Sequence, residues 1–475
     1  GMRPLGTMNA TAVGRIMVGT PAHRTHVVLA AAVIAVVAVV VAAAALLTSG
    51  GKSSAQVPPP RAPASARPAV VPLADAAPVP TTAGLTAALA AAVSDPNLGN
   101  LTGIITDATS GQQIWEQRAG MPMQPASTNK VLTAGAALLT LDRSARVTTT
   151  VQAADQTRMP GVVVLVGGGD PTLSAAPPGI DTWYRGAARI SDLADQVRKS
   201  GLTPTAVQVD TSLFTGPDMA PGWDPEDIKG GDIAPIQSVM LDAGRIQPTT
   251  LESRRSPTPA LDAGRALAVA LGIDPARVTF APGPAEGRQL ASVQSAPLME
   301  RLLEMMNASD NVMAETIARE VAKATGRPLS FAGGVDATLS KLSAAKIDTT
   351  GASLVDSSGL SVADLLTSKT LDGVVGAAVG PDQPALRPLV DLLPIAGGSG
   401  TLSNRFVGGD QMKSPAGWLR AKTGSLTKTN SLAGIVTDTS GRVLTFAFIS
   451  NNAGIEGRTA IDALAATLRT CGCAA

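Results

Sequence analysis

The chain has 475 residues and a near-neutral balance, +1 overall from 38 Lys and Arg against 37 Asp and Glu, which leaves room for about two or three domains and gives no support to nucleic-acid binding. Its two histidines, His23 and His26, sit near one end, and its two cysteines, Cys471 and Cys473, sit at the other. Between them, Ser-His-Asp triads, His-Glu-x-x-His zinc sites and cysteine zinc cages are all excluded; the two cysteines either pair with each other or stay free.

Residues 27–47, "VVLAAAVIAVVAVVVAAAALL", are 21 uninterrupted apolar side chains. As helix they would extend about 31 Å at about 1.5 Å per residue, enough to cross a hydrocarbon core. Arg3, Arg15 and Arg24 precede the run, so residues 1–26 are expected in the cytoplasm. A cleaved signal peptide and an uncleaved transmembrane anchor compete. The length of the run, and the lack of a clear Ala-x-Ala site in the following "TSGGKSSAQV", favour the anchor. Under either reading the remainder is exported to the extracytoplasmic face of the cell envelope. Residues 48–83 read as a linker, with Pro58, Pro59, Pro60, Pro63, Pro68, Pro72, Pro78 and Pro80 among Ala, Val and Ser, a composition that makes an extended spacer.

Further on, residues 84–93 read as a short helix, and 101–117 as a hairpin around a Thr-Ser-Gly turn. The apolar run Val131–Leu141 has helical length. The stretch 146–287, with strand-like runs at 162–166 and 206–210 and many turn residues, reads as an inserted, mainly β subdomain. Its "VGGGDP" (166–171) has a Pro where a nucleotide fingerprint needs a helix start. Near the C-terminus, 417–425, 431–438 and 442–451 read as three strands, the last two joined by a tight Asp-Thr-Ser-Gly turn, and 457–470 as an amphipathic helix. The pattern predicts an α/β (α+β) catalytic domain, a sheet flanked by helices assembled from 84–145 and 288–475.

Within "PASTNKVLT" (125–133), Ser127 precedes Lys130 by three residues, a spacing that puts a hydroxyl and a base on one helical face. The pattern is common: Ser49/Lys52, Ser343/Lys346 and Ser425/Lys428 share it, and Ser127 is also a natural helix N-cap. Downstream, "MNASDNVMAE" holds Ser309-Asp310-Asn311 between two helical stretches, and "RAKTGSL" holds Lys422-Thr423-Gly424 on a strand. A competing Lys-Ser-Gly at 199–201 ends a helical run, with Gly201 as its cap. One combination alone puts Ser-x-x-Lys, Ser-x-Asn and Lys-Thr-Gly in that order on helix, loop and strand, and this triple is the signature of penicillin-recognising serine enzymes.

With "LVGGGDPTL", "SAPLMERLLEMMNASDNVMAE", "LVDSSGLS", "LPIAGGSGTLSNR" and "AKTGSLTKTNSLAGIV" added, most of residues 84–455 resembles the penicillin-binding protein 4-type (class C low-molecular-mass) D-alanyl-D-alanine carboxypeptidases and endopeptidases. The resemblance implies a serine β-lactamase/DD-peptidase-like fold. It also implies carboxypeptidase action, endopeptidase action or both on peptidoglycan stem peptides, with β-lactams as covalent inhibitors and neither cofactor nor metal. Ser127 would be the nucleophile and Lys130 its base, with Ser309 relaying the proton and Asn311 holding Lys130 and the substrate amide. Lys422 and Thr423 would bind the substrate carboxylate. Gly424 belongs to the same strand, and Ser425 would supply an oxyanion N–H. Asp227, in "GWDPEDI" (222–228), stands where the family keeps an acid for a diaminopimelate amine. Val362 stands where many members carry an Arg for the charged stem-peptide side chain, and the insert looks shortened after Arg245.

Two other functions fit parts of this pattern. A non-catalytic, membrane-tethered peptidoglycan-binding scaffold would be expected to show damage to Ser127, Lys130 or Lys422, and none is damaged. A β-lactamase of the common class needs a deacylating Glu with an Asn four residues on. Between 312 and 421 the glutamates are Glu315 and Glu320, followed at that spacing by Arg319 and Ala324, so β-lactam adducts are expected to be long-lived.

Overall fold

The computed structural model describes residues 35–40 and 77–473, and the chain divides into two units, 1–70 and 71–475. In the first, residues 35–40 are helical and exposed. Among the described residues no helix is long and apolar enough to cross a membrane. The rest of the 27–47 run expected as an anchor, and most of the linker, lie outside them.

In the second unit, α1 (Thr82–Val93) starts at Thr81, whose hydroxyl accepts the Gly84 N–H and satisfies one of the free amides at the helix start. Strands β1 (Asn100–Asp107) and β2 (Gln113–Gln117) form the expected antiparallel hairpin. A 3-10 turn, Ala126–Asn129, leads into α2 (Lys130–Thr140). The middle of the chain holds β3 (Thr148–Ala153), β4 (Val162–Val166), β5 (Asp170–Leu173), α3 (Ile190–Lys199) and β6 (Ala206–Asp210). It continues through β7 (Val239–Leu241), α4 (Pro259–Leu271), β8 (Thr279–Phe280) and β9 (Gln289–Gln294). Helices α5 (Leu298–Ala308), α6 (Asn311–Ala324), α7 (Phe331–Ala344) and α8 (Ser368–Val379) follow. Strands β10 (Leu419–Leu426), β11 (Thr429–Thr437) and β12 (Val443–Asn451) and helix α9 (Gly457–Thr470) close the fold, where Cys471 and Cys473 are disulfide-bonded.

The first sheet has the order β10-β11-β12-β1-β2 and joins the two ends of the chain through the β1–β12 pairing. Alternate residues point to opposite faces of a strand. Ile104, Ala433, Ala447 and Ile449 therefore pack with α2, α6 and α8, while Leu101, Ile105, Leu432, Phe446 and Phe448 pack against Leu85 and Leu89 of α1 and Ile461 and Leu464 of α9. Burial on both faces explains why "VLTFAFISN" is apolar almost throughout.

The second sheet has the order β8-β6-β4-β3-β9, with β4–β6 and β6–β8 parallel. Parallel neighbours need a crossover. Here α3 and α4 supply it, burying Leu193, Val197 and Leu267 against Val163, Leu165 and Val209. This part of the chain is therefore mixed α/β, where the sequence pattern suggested mainly β. It also runs past the expected break at 287, because β9 closes the edge against β3.

Candidate active site

Ser127 lies in the turn before α2. No side-chain capping bond is made at either cap of that junction, so the hydroxyl is not engaged as an N-cap. It accepts a hydrogen bond from Lys130 Nζ at 2.9 Å. The same ammonium donates to Asn311 Oδ1 (2.6 Å) and to the Ser358 carbonyl (2.8 Å). Lys130 is fully buried, and burial pushes its pKa down to about 8 against the opposing charges of Asp356, Asp310, Glu315 and Asp364. An amine held by two acceptors keeps its remaining position, proton or lone pair, for Ser127.

The turn itself is tightly held. Ala126 has φ 50°, a left-handed conformation that costs a non-glycine residue energy and is kept only when its surroundings enforce it. Gly359 and Gly424 press on it. A Cβ on Gly359 would stand 1.8 Å from the Ala126 carbonyl oxygen, and one on Gly424 would stand 2.8 Å from the Pro125 carbonyl oxygen and 3.0 Å from the Ser127 nitrogen. Both positions therefore require glycine.

Ser309-Asp310-Asn311 is the junction of two helices. Ser309, at φ 56°, ends α5 in the left-handed conformation, Asp310 caps α6 by accepting the Met313 N–H at 3.0 Å, and Asn311 is the first residue of α6. Burial raises the Asp310 pKa, but the charge of Arg255, the Tyr184 hydroxyl (2.5 Å) and the Met313 amide outweigh it and hold the carboxyl below its ordinary value. Asn311 is fixed from both sides, since its Nδ2 donates to the Asp232 carbonyl at 2.9 Å.

Lys422, Thr423, Gly424 and Ser425 lie on β10, an edge strand of the first sheet. The Ala421 N–H bonds Pro394 on the side away from β11, and the Leu419 carbonyl takes the Ala396 N–H there. At a period of two, the N–H groups of Thr423 and Ser425 face the same open edge. Lys422 Nζ donates to Ser309 Oγ at 2.9 Å and to the Thr423 carbonyl at 2.8 Å. Its pKa lies well below the usual value because it is fully buried and faces Lys130 and Arg405. The Thr423 hydroxyl is hydrogen-bonded to that of Thr401 at 2.7 Å. The three motifs thus meet in one place, with their hydroxyls and amines chained through Ser127–Lys130–Asn311 and Ser309–Lys422.

A cleft of about 560 Å³ opens beside this centre, lined among others by Asp232, Arg245, Arg255, Ser309, Asn311 and Thr401. Asp227 is not on its wall. It lies in the short helix Glu226–Gly230, half-exposed, with its pKa raised by burial and then by the charges of Asp232 and Asp224. Asp232, which does line the cleft, has no motif to mark it in the sequence, and neither has Ser358, whose carbonyl accepts from Lys130. The only signal for Ser358 is its place in the "VDSSGLS" run, whose backbone role no side-chain pattern reveals.

A nucleophile-and-lysine pair below a free strand edge, on this sheet and helix arrangement, defines the penicillin-recognising serine peptidase class. The chain belongs to the D-Ala-D-Ala carboxypeptidase 3 (S13) family, whose profile matches residues 85–254 and 249–471, and it is a D-Ala-D-Ala carboxypeptidase of the penicillin-binding protein 4 type. A second profile, described as a carboxypeptidase Rv3627c-like N-terminal domain, matches residues 20–72. Over 414 residues the chain is 66% identical to "Carboxypeptidase Rv3627c" of Mycobacterium tuberculosis, covering 87% of this chain and 90% of that one. It is 69% identical, with the same coverage, to "Carboxypeptidase DacB" of Mycolicibacterium smegmatis. The fold matches the crystal structure of penicillin binding protein 4 (dacB) from Haemophilus influenzae with a TM-score of 0.65 at 24% identity, over 82% of this chain and 98% of that one.

Proposed function

We propose that the enzyme cleaves the terminal D-Ala-D-Ala bond of peptidoglycan stem peptides through an acyl-enzyme on Ser127. Ser127 Oγ attacks the carbonyl carbon while neutral Lys130 takes the hydroxyl proton. The N–H groups of Ser127 and Ser425 stabilise the oxyanion. As the tetrahedral intermediate collapses, the C–N bond breaks, and Ser309 relays to the departing D-Ala amine the proton that Lys130 took, which leaves Lys130 neutral again. Lys422 and Thr423 hold the terminal carboxylate throughout. Water then attacks the acyl carbon and gives its proton to Lys130, which returns it to Ser127 Oγ as the bond from the acyl carbon to Oγ breaks. The observation that carries this reading is the buried Lys130 amine 2.9 Å from Ser127 Oγ, its other bonds going to Asn311 and Ser358.

Fluorescent penicillin tests it. The wild type should label stably and Ser127→Ala should not, with the added mass on the peptide containing 125–133. Label on the peptide of Ser425 or Ser343 would overturn the assignment. The open cleft beside Ser309 gives room for a second peptide strand, which favours endopeptidase action alongside, and release of monomers from a cross-linked muropeptide dimer checks that. The extracytoplasmic, anchored location rests on the 27–47 run and its preceding arginines, and fractionation of cells into membrane and soluble pools tests it.

A further inference from the structure

Behind Lys130 lies a buried carboxylate group that the mechanism does not use. Glu315 is on α6 one turn beyond Asn311, so both point from the same helix face. Its side chain is inaccessible to solvent, and Oε1 accepts the amides of Ser357 and Ser358, each at 2.9 Å. The carbonyl of the same Ser358 receives Lys130 Nζ at 2.8 Å. Around it the loop 355–364 is wound on two more carboxylates. Asp356 accepts the amides of Gly359 (2.8 Å) and Ser361 (2.7 Å) and the Trp223 indole N–H (2.8 Å). Asp364 accepts the Val355 amide at 2.8 Å.

We propose that Glu315 is a positioning residue for acylation: by gripping the Ser357 and Ser358 amides it presents the Ser358 carbonyl to the Lys130 amine and adds a negative charge behind it. The proposal rests on Lys130 acting as the base. Helix α6 then governs both of the acceptors that orient that amine, Asn311 directly and Ser358 through Glu315. A neutral amine with two fixed acceptors aims its lone pair at Ser127. With one acceptor it rotates, and fewer orientations are productive. Glu315 is not placed to act as a hydrolytic base, since Oε1 is bound to two amides and Oε2 faces Arg319 at 3.8 Å. Burial, then the Asp356 charge, raises its pKa against the opposing charge of Arg319. The charged groups facing this pair are Asp356 and Asp364 from the loop, Asp310 from the helix junction, Arg319 from α6 and Lys422 from β10.

The test is the pH dependence of penicillin acylation in Glu315→Gln and Glu315→Leu, with rates taken per molecule that finally labels, so that loss of folded protein does not enter. Glu315→Gln removes a negative charge facing Lys130, which makes the ammonium easier to deprotonate. Its acid limb should therefore move to lower pH by about half a unit, a gain of about threefold just below the midpoint that fades at lower pH, where the raised pKa of Glu315 leaves the wild-type carboxyl protonated as well. Glu315→Leu also loses both amide bonds, and its plateau should fall by about a hundredfold, the scale of a misplaced catalytic group. Wild-type plateau and limb in both variants would reduce Glu315 to a structural residue and overturn the proposal. Should the single variants fail to fold with Arg319 unpaired, Glu315→Leu/Arg319→Leu removes the buried pair together, and a wild-type plateau there overturns the proposal equally. Normal acylation by Lys130→Arg would instead sink the base reading itself, so the two failures are distinguishable.

Discussion

Two lysines at the centre of this site, Lys130 and Lys422, are both fully buried, and their surroundings differ in sign. Lys130 is held by Ser127, Asn311 and the Ser358 carbonyl and is faced by Asp356, Asp310, Glu315 and Asp364. Burial lowers its pKa, the carboxylates limit the fall, and the result, about 8, is suited to exchanging a proton near neutral pH. Lys422 has a hydroxyl and a carbonyl as partners, and the charges it faces are the cations Lys130 and Arg405. Nothing in those contacts offsets the cost of burying a second cation. An arriving carboxylate would. Identical side chains in one site are thus tuned for different work, one as a base and the other as an anion receptor whose counter-charge is the substrate.

The largest effect should come from removing the base. Lys130→Arg keeps a cation but cannot deprotonate near neutral pH, so penicillin acylation should fall by about 10²- to 10⁴-fold while the thermal melt shows the fold intact. In the wild type the same group sets the acid limb. A folded pKa of about 8 means that the active, neutral amine is lost as pH falls through that value. Acylation should drop about tenfold per unit below it. A flat profile from pH 6 to 9 would mean that another group takes the proton.

Breaking the other side of the comparison should cost somewhat less. Lys422→Met leaves the nucleophile and base in place but strands the substrate carboxylate, and losing one partner of a buried charge pair costs about 2–5 kcal/mol. kcat/KM for a D-Ala-D-Ala peptide should fall by at least about thirtyfold on that basis. A substrate ending in a carboxamide should show a similar loss with the wild type and little further loss with Lys422→Met. Additive losses would mean that the lysine and the carboxylate do not meet.

How much of this was legible in the sequence depended on distance along the chain. Ser127 and Lys130, the Ser309–Asn311 junction and the β10 strand are local patterns with their own turn, cap and alternation signals, and all three motifs converge in the structure. The first sheet was legible for the same reason, since β1, β2, β10, β11 and β12 each carry apolar runs bounded by turn residues. The helices α3 and α4 were less so, because "ISDLADQVRK" and "PALDAGRALAVAL" lie among proline- and glycine-rich turns that suggested strands and loops. Ser358 and Glu315 were illegible as partners of Lys130. Their roles run through backbone groups brought together from opposite ends of a long stretch, and Glu315 drew notice only as a glutamate lacking an Asn four residues on.

A smaller effect separates two acids of the insert. Asp227 matches the family position, while Asp232 lines the cleft and its backbone carbonyl holds Asn311. Asp232→Asn should weaken turnover of a stem peptide bearing a free diaminopimelate amine by about tenfold relative to one with that amine acetylated, the scale of a partly solvated ion pair. Asp227→Asn should change this ratio by less than about threefold. The reverse ranking would return the amine to Asp227.

The smallest expected effect concerns the other charge on that side chain. Val362, where many family members carry an Arg, is exposed, and its carbonyl accepts Gln124 Nε2 at 2.8 Å. Of the two arginines nearest in the sequence to the Lys-Thr-Gly strand, Arg405 is paired bidentately with Asp462, and Arg420 faces an exposed Asp391 at 3.6 Å. A carboxylate brought against a wall without a cation loses hydration and gains no partner, whereas an amide needs only ordinary hydrogen bonds. Selectivity would then come from not penalising the neutral group rather than from attracting it. Pentapeptides differing only in amidation of the diaminopimelate carboxylate should show a preference for the amide of about two- to tenfold in kcat/KM, the size of a partly exposed polar contact. Val362→Arg should reverse it by restoring a cation at that wall. A wild-type preference for the free acid would mean that a cation outside this wall reaches the carboxylate, with Arg245 and Arg255 on the cleft the first to replace.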